Sequence, residues 1–324
     1  MGHLRFLSYH FCQILNRHAD WALRFPKRLT GKEKDRFLGE LEAVLTERGW
    51  PTQRITTGRF LRNRLLLTQC EQPSVIFLAH YDTPTKLPFW ISWLYQVWGH
   101  TRQISAILFL LILLQIPRVL RVFVPDLILL DTISSLVPIL LLLSLSVMLI
   151  PNRHNREDNT SGVLGLMALA DYLKDKPGIQ KQVQFAFLDN EELGLLGSLA
   201  LKKHWDDAGY PYPQADIISL DCIARGRKPL LIYHKSAHLA QKLLPAIQSY
   251  LPETKLMNMG IMPLSDNYTF QHLGAVDISF ANPALVPGGY YIPRIHCSSD
   301  KDFTPERFWP LVQALGQYVT TTQA

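Results

Sequence analysis

The chain has 324 residues, of which 48% are hydrophobic, and a formal net charge of +6. This length accommodates two domains or one large α/β domain with an elaboration, and the hydrophobic content is enough for a large core with apolar residues left over. The positive charges form no long Lys/Arg run and no nucleic-acid-binding motif is present, so we expect no nucleic-acid partner.

The first 87 residues predict helices followed by strands. Residues 1–25 are typical of an amphipathic helix that packs on the protein or lies on a membrane surface, and they lack the apolar core and cleavage site of a signal peptide. Residues 31–49 predict a helix, because apolar residues recur at helical spacing after Thr30, a candidate N-cap. RITTG and NRLLLTQC then predict strands, and SVIFLAHYD at residues 74–82 is typical of a buried strand.

Residues 88–151 form an apolar insertion. Nineteen uncharged residues run from Thr132 to Ile150, and residues 103–117 are also free of charge. A bilayer span needs about 20 apolar residues, and the preceding LPFWISWLYQVW has the Trp and Tyr content of a membrane-interface belt. We therefore predict a two-helix membrane hairpin. The alternative is an apolar lid or an oligomer interface on a soluble enzyme.

Beyond residue 157, helix and strand patterns alternate along the chain. The predicted strands are QVQFAFLD, ADIISLDCI, PLLIYHK and AVDISFA, and amphipathic helices lie between them. Continuous apolar strands between such helices predict a three-layer α/β/α sandwich with a mostly parallel mixed sheet. The predicted divisions are residues 1–87 (N-terminal helices and first strands of a catalytic domain), 88–151 (the insertion) and 152–324 (the rest of that domain).

Polar side chains follow several of these strands where each strand ends. They are His80 and Asp82, Asp158 before a helix, Glu191 and Glu192, Asp221, and later His296 and Asp300. Ligands of such sheets bind beyond the carboxyl ends of the strands, and so many carboxylates at one edge are unfavourable without cations. Imidazole and carboxylate groups together suit zinc.

The motifs H-x-D, D-N-x-S-G and E-E-x-G-L-L-G-S, with a strand-end Asp and a late His, resemble the co-catalytic di-zinc aminopeptidase family. That family also contains glutamate carboxypeptidases, glutaminyl cyclases and transferrin-receptor-like domains. The resemblance covers residues 74–86 and 152–310. It implies a zinc-dependent exopeptidase that removes N-terminal residues from peptides. The alternatives are a glutaminyl cyclase or carboxypeptidase of the same fold, and a non-catalytic membrane-anchored binding scaffold.

The resemblance also implies a role for each residue of the motifs. It implies two zinc ions per chain, with three protein ligands on each metal and an open position for water or substrate. The implied ligands are His80 and Asp221 for one ion, Glu192 and His296 for the other, and Asp158 as the bridge. Asp82 would orient His80, and Glu191 would be the general base. The implied binding residues for the free amine of the substrate are Ser265, Asp266 and Asp300.

One residue departs from the pattern of the aminopeptidase relatives. These often carry a Tyr before the late histidine, where it helps to stabilise the tetrahedral intermediate, whereas Ile295 precedes His296 in this chain. Tyr291 or another hydrogen-bond donor would have to take its place.

The insertion falls between Asp82 and Asp158, where relatives have a short loop, so it must leave and return on the same side of a membrane. The ends of the insertion that adjoin the domain carry four basic residues, Lys86, Arg102, Arg153 and Arg156. The connection between the two apolar segments carries two, Arg118 and Arg121. This distribution predicts a membrane-associated enzyme with its catalytic domain in the cytoplasm.

Overall fold

The computed structural model of the chain describes residues 21–59, 61–124, 128–176, 178–260 and 265–322. Most of the amphipathic helix predicted at residues 1–25 lies outside the described residues, and its last turn is the short helix Trp21–Arg24. The described helices are α1 Trp21–Arg24, α2 Gly31–Glu47, α3 Phe89–Trp98, α4 Gln103–Phe123, α5 Ile128–Ser144, α6 Ser161–Leu173, α7 Leu196–Ala208, α8 His238–Gln248 and α9 Pro305–Thr322.

A mixed β-sheet forms the centre of the described molecule, with strand order β1-β2-β4-β3-β5-β8-β6-β7. The strands are β1 Thr52–Thr57, β2 Asn63–Thr68, β3 Val75–His80, β4 Val183–Leu188, β5 Asp216–Leu220, β6 Lys228–Tyr233, β7 Lys255–Asn258, β8 Val276–Pro283 and β9 Tyr290–Tyr291. Strands β4, β3, β5 and β8 are parallel neighbours at the centre. Antiparallel pairs join this central part to β2 and to β6.

Helices cover both faces of the sheet, as the alternation of side chains along β3 illustrates. Phe77 packs into a core that includes α2, α6, α8 and α9, whereas Leu78 packs into a second core with α7 and with the 3-10 helix Asp266–Leu273. Every residue of β3 is buried, as expected for a central parallel strand that is covered on both sides. The prediction of a three-layer α/β/α sandwich is confirmed.

The described part of the insertion contains the α-helices α3, α4 and α5. Two apolar segments, His100–Phe123 and Thr132–Leu149, have mean hydropathies of 2.1 and 2.2, and within an 18-residue window of each only 6% and 0% is buried. By length and composition both are able to cross a membrane. We call helices α4 and α5 the apolar hairpin.

Helix α3 is docked on the sandwich. The N–H groups of Leu285 and Val286 donate to the carbonyls of Gln96 and Val97 at 3.0 and 2.7 Å, and the N–H of Leu87 donates to the carbonyl of His296 at 3.1 Å. The sequence had indicated a membrane-interface belt for this segment, and its docking places the start of the insertion next to the predicted site.

Candidate active site

Three parallel strands end at the same edge of the sheet and bring their following residues together. Strand β3 ends at His80, which is in register with Leu188 at the end of β4. Strand β5 is paired with β3 on its other side and is followed directly by Asp221. Because neighbouring parallel strands have their carboxyl ends at one edge, the polar residues after them converge.

The residues predicted to bind the first metal lie in one cluster. His80 Nε2 is 3.2 Å from Asp158 Oδ1 and 3.6 Å from Asp221 Oδ1. The ligand atoms of these three residues all lie within 4.8 Å of one another. His80 is almost fully buried, so its ring position is set by the strand and its packing.

The residues predicted to bind the second metal form an adjoining cluster. His296 Nε2 is 2.8 Å from Asp158 Oδ2 and 3.5 Å from Glu192 Oε2, and the ligand atoms of these three residues also lie within 4.8 Å of one another. Asp158 thus presents one carboxylate oxygen to each histidine. This is the geometry that a bridging ligand needs.

The loop that carries Asp158 is fixed by Asn159 and by the glycine of the D-N-x-S-G motif. Asn159 Nδ2 donates to the carbonyl of Leu220 at 2.9 Å, and Asn159 Oδ1 accepts from the N–H of Gly162 at 2.8 Å. A Cβ at Gly162 would lie 2.2 Å from the carbonyl oxygen of Leu220. Only glycine lets helix α6 approach the end of β5 this closely, and this approach brings Asp158 to Asp221.

Asp82 holds both the first histidine and the pair of glutamates. Its carboxylate lies 3.4 Å from His80 Nδ1, and it accepts hydrogen bonds from the N–H groups of Glu191 and Glu192 at 3.1 and 3.3 Å. It therefore positions a predicted metal ligand and the predicted base together, as partners of metal-ligand histidines commonly do.

The electrostatics of the cluster favour the binding of a cation. Burial raises the pKa of Glu192 well above its usual range, and the nearby carboxylate of Asp158 raises it further. Burial also disfavours ionised Asp158, but the adjacent imidazoles of His296 and His80 outweigh it and hold its pKa low. Among the described residues, Glu192 Oε1 and Asp221 Oδ1 are buried and accept no hydrogen bond.

Zinc fits this set of side chains. The donors are imidazole nitrogens and carboxylate oxygens, which zinc prefers. A cation among them would occupy the unpartnered oxygens and would compensate the crowded negative charge.

The predicted substrate residues lie beside the two clusters. Ser265 Oγ donates to Asp221 Oδ2 at 3.0 Å, and burial raises the pKa of the enclosed Asp266 to about 7. Asp300 is fully buried, and its carboxylate accepts from the N–H of Glu157 at 2.9 Å. This placement favours support of the Asp158 loop as the role of Asp300. The binding of a substrate amine by these residues stays a prediction.

Two buried residues near the site were not singled out from the sequence. Glu157 is fully enclosed, and burial together with the charge of Asp300 raises its pKa well above the ordinary range. In the sequence, only its position beside Asp158 pointed to a place near the site. His100 is 5% exposed although it opens the apolar segment of the insertion. The apolar residues after it predict a membrane-spanning segment, and they do not indicate that its imidazole is buried in the protein.

The fold and the clustered imidazole and carboxylate groups define the class of zinc-dependent peptidases with an α/β/α sandwich. The profile of Peptidase family M28 matches residues 156–317, half of the chain, and the chain belongs to this family. The resemblance stated from the motifs is thereby confirmed. A comparison with curated protein sequences gives no match.

Solved structures of other proteins share the fold over nearly the whole chain. Glutaminyl cyclase of Porphyromonas gingivalis has a TM-score of 0.62 at 15% identity and covers 94% of this chain and 95% of its own. A Zn-dependent exopeptidase of Parabacteroides distasonis has a TM-score of 0.61 at 14% identity and covers 97% of each chain. For the LapA aminopeptidase of Legionella pneumophila the TM-score is 0.59 at 15% identity, with 97% of this chain and 71% of that chain covered.

At these identities the structural similarity establishes the fold. The similar structures include both aminopeptidases and glutaminyl cyclases. Family membership supports a hydrolase. Together with the zinc dependence of the Parabacteroides exopeptidase, it also supports zinc as the metal.

Proposed function

We propose that the protein is an aminopeptidase that holds two zinc ions and hydrolyses the N-terminal peptide bond of peptides. The observation that carries this proposal is the pair of ligand clusters that share Asp158, with Glu191 beside them. His80 and Asp221 would complete one metal site, and Glu192 and His296 the other.

The residues around the metals have distinct tasks in this reaction. When bound, the zinc ions would polarise the scissile carbonyl and lower the pKa of the attacking water. Glu191 takes a proton from the attacking water and delivers it to the departing amine. One of its carboxylate oxygens lies within 4.8 Å of the ligand atoms of His80 and Glu192, so it is next to the residues that would hold the metals. Asp82 keeps the imidazole of His80 and the backbone of Glu191 in place.

The replacement Glu191→Gln tests the mechanism, because it keeps the shape of the side chain and removes its ability to accept a proton. We expect the variant to retain its zinc and to lose activity on aminoacyl and peptide substrates by about 100-fold or more. Zinc content measured on the same preparation is the control. Cleavage at the wild-type rate by a zinc-loaded variant would exclude Glu191 as the base.

A glutaminyl cyclase is the second candidate. The fold is compatible with it, since the Porphyromonas gingivalis glutaminyl cyclase shares that fold, and one observation favours it: Ile295 stands before His296, where aminopeptidase relatives often have Tyr. Incubation with peptides that begin with Gln, followed by mass spectrometry, distinguishes the two reactions. Loss of ammonia from the intact peptide indicates cyclisation, whereas release of the first residue indicates aminopeptidase activity. A non-catalytic scaffold would give neither product and need not hold zinc.

We further propose that the apolar hairpin spans a membrane and that the catalytic domain lies in the cytoplasm. The exposed apolar surface of α4 and α5 supports the first part. The excess of Lys and Arg at the domain ends of the hairpin supports the second. Recovery of the protein without detergent would contradict membrane insertion. Cleavage of residues 160–324 by a protease added to intact cells would contradict the cytoplasmic location.

A further inference from the structure

A buried histidine of the insertion lies at the edge of the candidate active site. The insertion that carries it lies against the segment of His296, since the N–H of Leu87, just before the insertion, donates to the carbonyl of His296 at 3.1 Å. His100 Nδ1 accepts a hydrogen bond from the N–H of Ile292 at 3.1 Å. A nitrogen that accepts carries no proton, so the ring is neutral and has its hydrogen on Nε2.

The position of His100 is fixed from several sides. Its ring stacks on that of Tyr95 with 4.0 Å between centroids, and the neighbouring Thr101 Oγ1 accepts from the N–H of Tyr290 at 3.0 Å. Gly99 makes this close approach feasible, since a Cβ there would lie 2.5 Å from the nitrogen of Tyr290. The imidazole is therefore held against β9 and Ile292, the residue that follows it.

The proton-bearing nitrogen of this ring has no partner. His100 Nε2 is buried, although the residue keeps 5% of its surface exposed, and it makes no hydrogen bond to the part of the chain that the structure describes. A buried donor without an acceptor is unfavourable and rare in folded proteins. An acceptor that arrives with the substrate would satisfy it.

We propose that His100 donates a hydrogen bond from Nε2 to the oxygen of the scissile carbonyl, where negative charge develops as water adds. This inference rests on the proposed function and deepens it. It supplies the donor that Ile295, an aliphatic residue, does not provide. The insertion then completes the active site in addition to anchoring the protein.

Two substitutions separate the roles of the two ring nitrogens. His100→Asn keeps an acceptor near the position of Nδ1 and lacks the Nε2 donor, whereas His100→Gln retains an N–H group near Nε2. For H100N we expect kcat to fall by about 100- to 1,000-fold, the usual effect of removing one such donor. We expect KM and zinc content to stay close to those of the wild type, and H100Q to recover much of the loss.

A binding measurement tests the proposal independently of turnover. The probe is a phosphinate analogue of a dipeptide, whose tetrahedral group carries the negative oxygen, and its affinity for the zinc-loaded protein is measured by calorimetry. We expect H100N to bind the analogue about 100-fold more weakly and to bind a free amino acid product as the wild type does. Equal affinity of H100N and wild type for the analogue would overturn the proposal. The activity of the wild type tests the proposed function separately.

A second site is a basic pocket at the base of the apolar hairpin. Its volume is about 400 Å³, and its lining includes Lys27, Lys86, Arg153, His154 and Ile150. The N–H of Lys86 donates to the carbonyl of Ile150 at 2.9 Å, so the pocket lies where the chain enters and leaves the insertion.

The positive charge of the basic pocket is only partly compensated. Lys27 pairs with Glu33 at 3.4 Å, but among the described residues neither Lys86 nor Arg153 has a carboxylate within 4.0 Å. Burial and the charges of Lys301 and Lys86 lower the pKa of His154. Such a cluster favours an anion.

The depth of the basic pocket relative to a bilayer follows from the apolar residues of the insertion next to it. Phe89 is 84% and Leu149 is 83% exposed, which suits contact with lipid. Basic groups just outside an apolar span lie at the level of phosphate headgroups. We infer that the basic pocket binds the phosphate of an anionic lipid, an inference that rests on the membrane insertion proposed above.

Short-chain lipids in neutral detergent test this inference with the full-length protein. Dihexanoyl phosphatidylglycerol should raise the melting temperature of the wild type, and dihexanoyl phosphatidylcholine should raise it less. The double variant K86Q/R153Q should lose the difference. The matched control K202Q/K203Q, which removes two charges from exposed ion pairs on α7, should keep it. An equal rise with inorganic phosphate alone, or an unchanged response of K86Q/R153Q, would overturn the lipid site.

Discussion

At the scale of single residues, Asp158 is the link between the two halves of the candidate site. One of its oxygens lies 3.2 Å from His80 Nε2 and the other 2.8 Å from His296 Nε2. One cluster contains His80 and Asp221, and the other contains Glu192 and His296. Among the described residues, Asp158 alone belongs to both. Its removal therefore affects both predicted metals, whereas the removal of either terminal ligand affects one.

This difference yields a prediction about metal content. Asp158→Ala should reduce the zinc retained after dialysis from roughly two ions per chain to nearly none, and His296→Ala should leave about one, since each catalytic zinc needs three protein ligands. Elemental analysis of the purified proteins measures both. Equal zinc content in D158A and H296A would contradict the bridging role.

Among the elements, helix α6 is set against the end of β5 by a backbone contact that leaves no space for a side chain. Gly162→Ala should lower the free energy of unfolding by at least about 1–3 kcal/mol, because the new Cβ would lie 2.2 Å from the carbonyl oxygen of Leu220. Chemical denaturation of the zinc-free protein measures this change without a contribution from metal.

Gly39→Ala in α2 is the matched control. A Cβ there meets only Arg54, at 3.6 Å. Alanine is favoured over glycine within a helix, so this variant should be more stable by about 0.5–1 kcal/mol. If both substitutions lowered the free energy of unfolding equally, the contact of Gly162 with the end of β5 would be excluded as the cause of its loss of stability.

Elements with strong local signals were predictable from the sequence. Strand β3 is a run of apolar residues, buried at every position, and helix α2 begins with a capping box in which the Thr30 and Glu33 side chains each bond the other's backbone. The predicted ligand residues follow such elements directly and match a family pattern, and their role as ligands stays a prediction. These residues come close together in space because the topology places the carboxyl ends of the parallel strands at one edge of the sheet.

Other elements carried no distinguishing signal. The apolar and aromatic residues of α3 suit a membrane interface as well as they suit a docked helix, and its hydrogen bonds to Leu285 and Val286 involve only backbone groups. The short strands β7 and β9, with four and two residues, lack a periodic pattern. The burial of His100 arises from this docking, so reading its neighbours in the sequence could not reveal it.

At the scale of the whole molecule, the sandwich and the apolar hairpin make different contributions. The predicted zinc ligands all lie outside α4 and α5, and among the described residues the cores on both faces of the sheet contain none from the apolar hairpin. The sandwich should therefore fold and bind metal when the hairpin is absent.

Replacement of residues 104–148 by a flexible Gly/Ser linker tests this separation. The shortened protein should be recovered without detergent, because the exposed apolar surface of α4 and α5 is removed, and it should hold as much zinc as the full-length chain. His100 and α3 remain in it, so it should also retain hydrolytic activity on small aminoacyl substrates, measured beside the full-length protein in detergent. A shortened protein that is soluble and folded by circular dichroism but binds no zinc would show that the hairpin is needed to form the metal site.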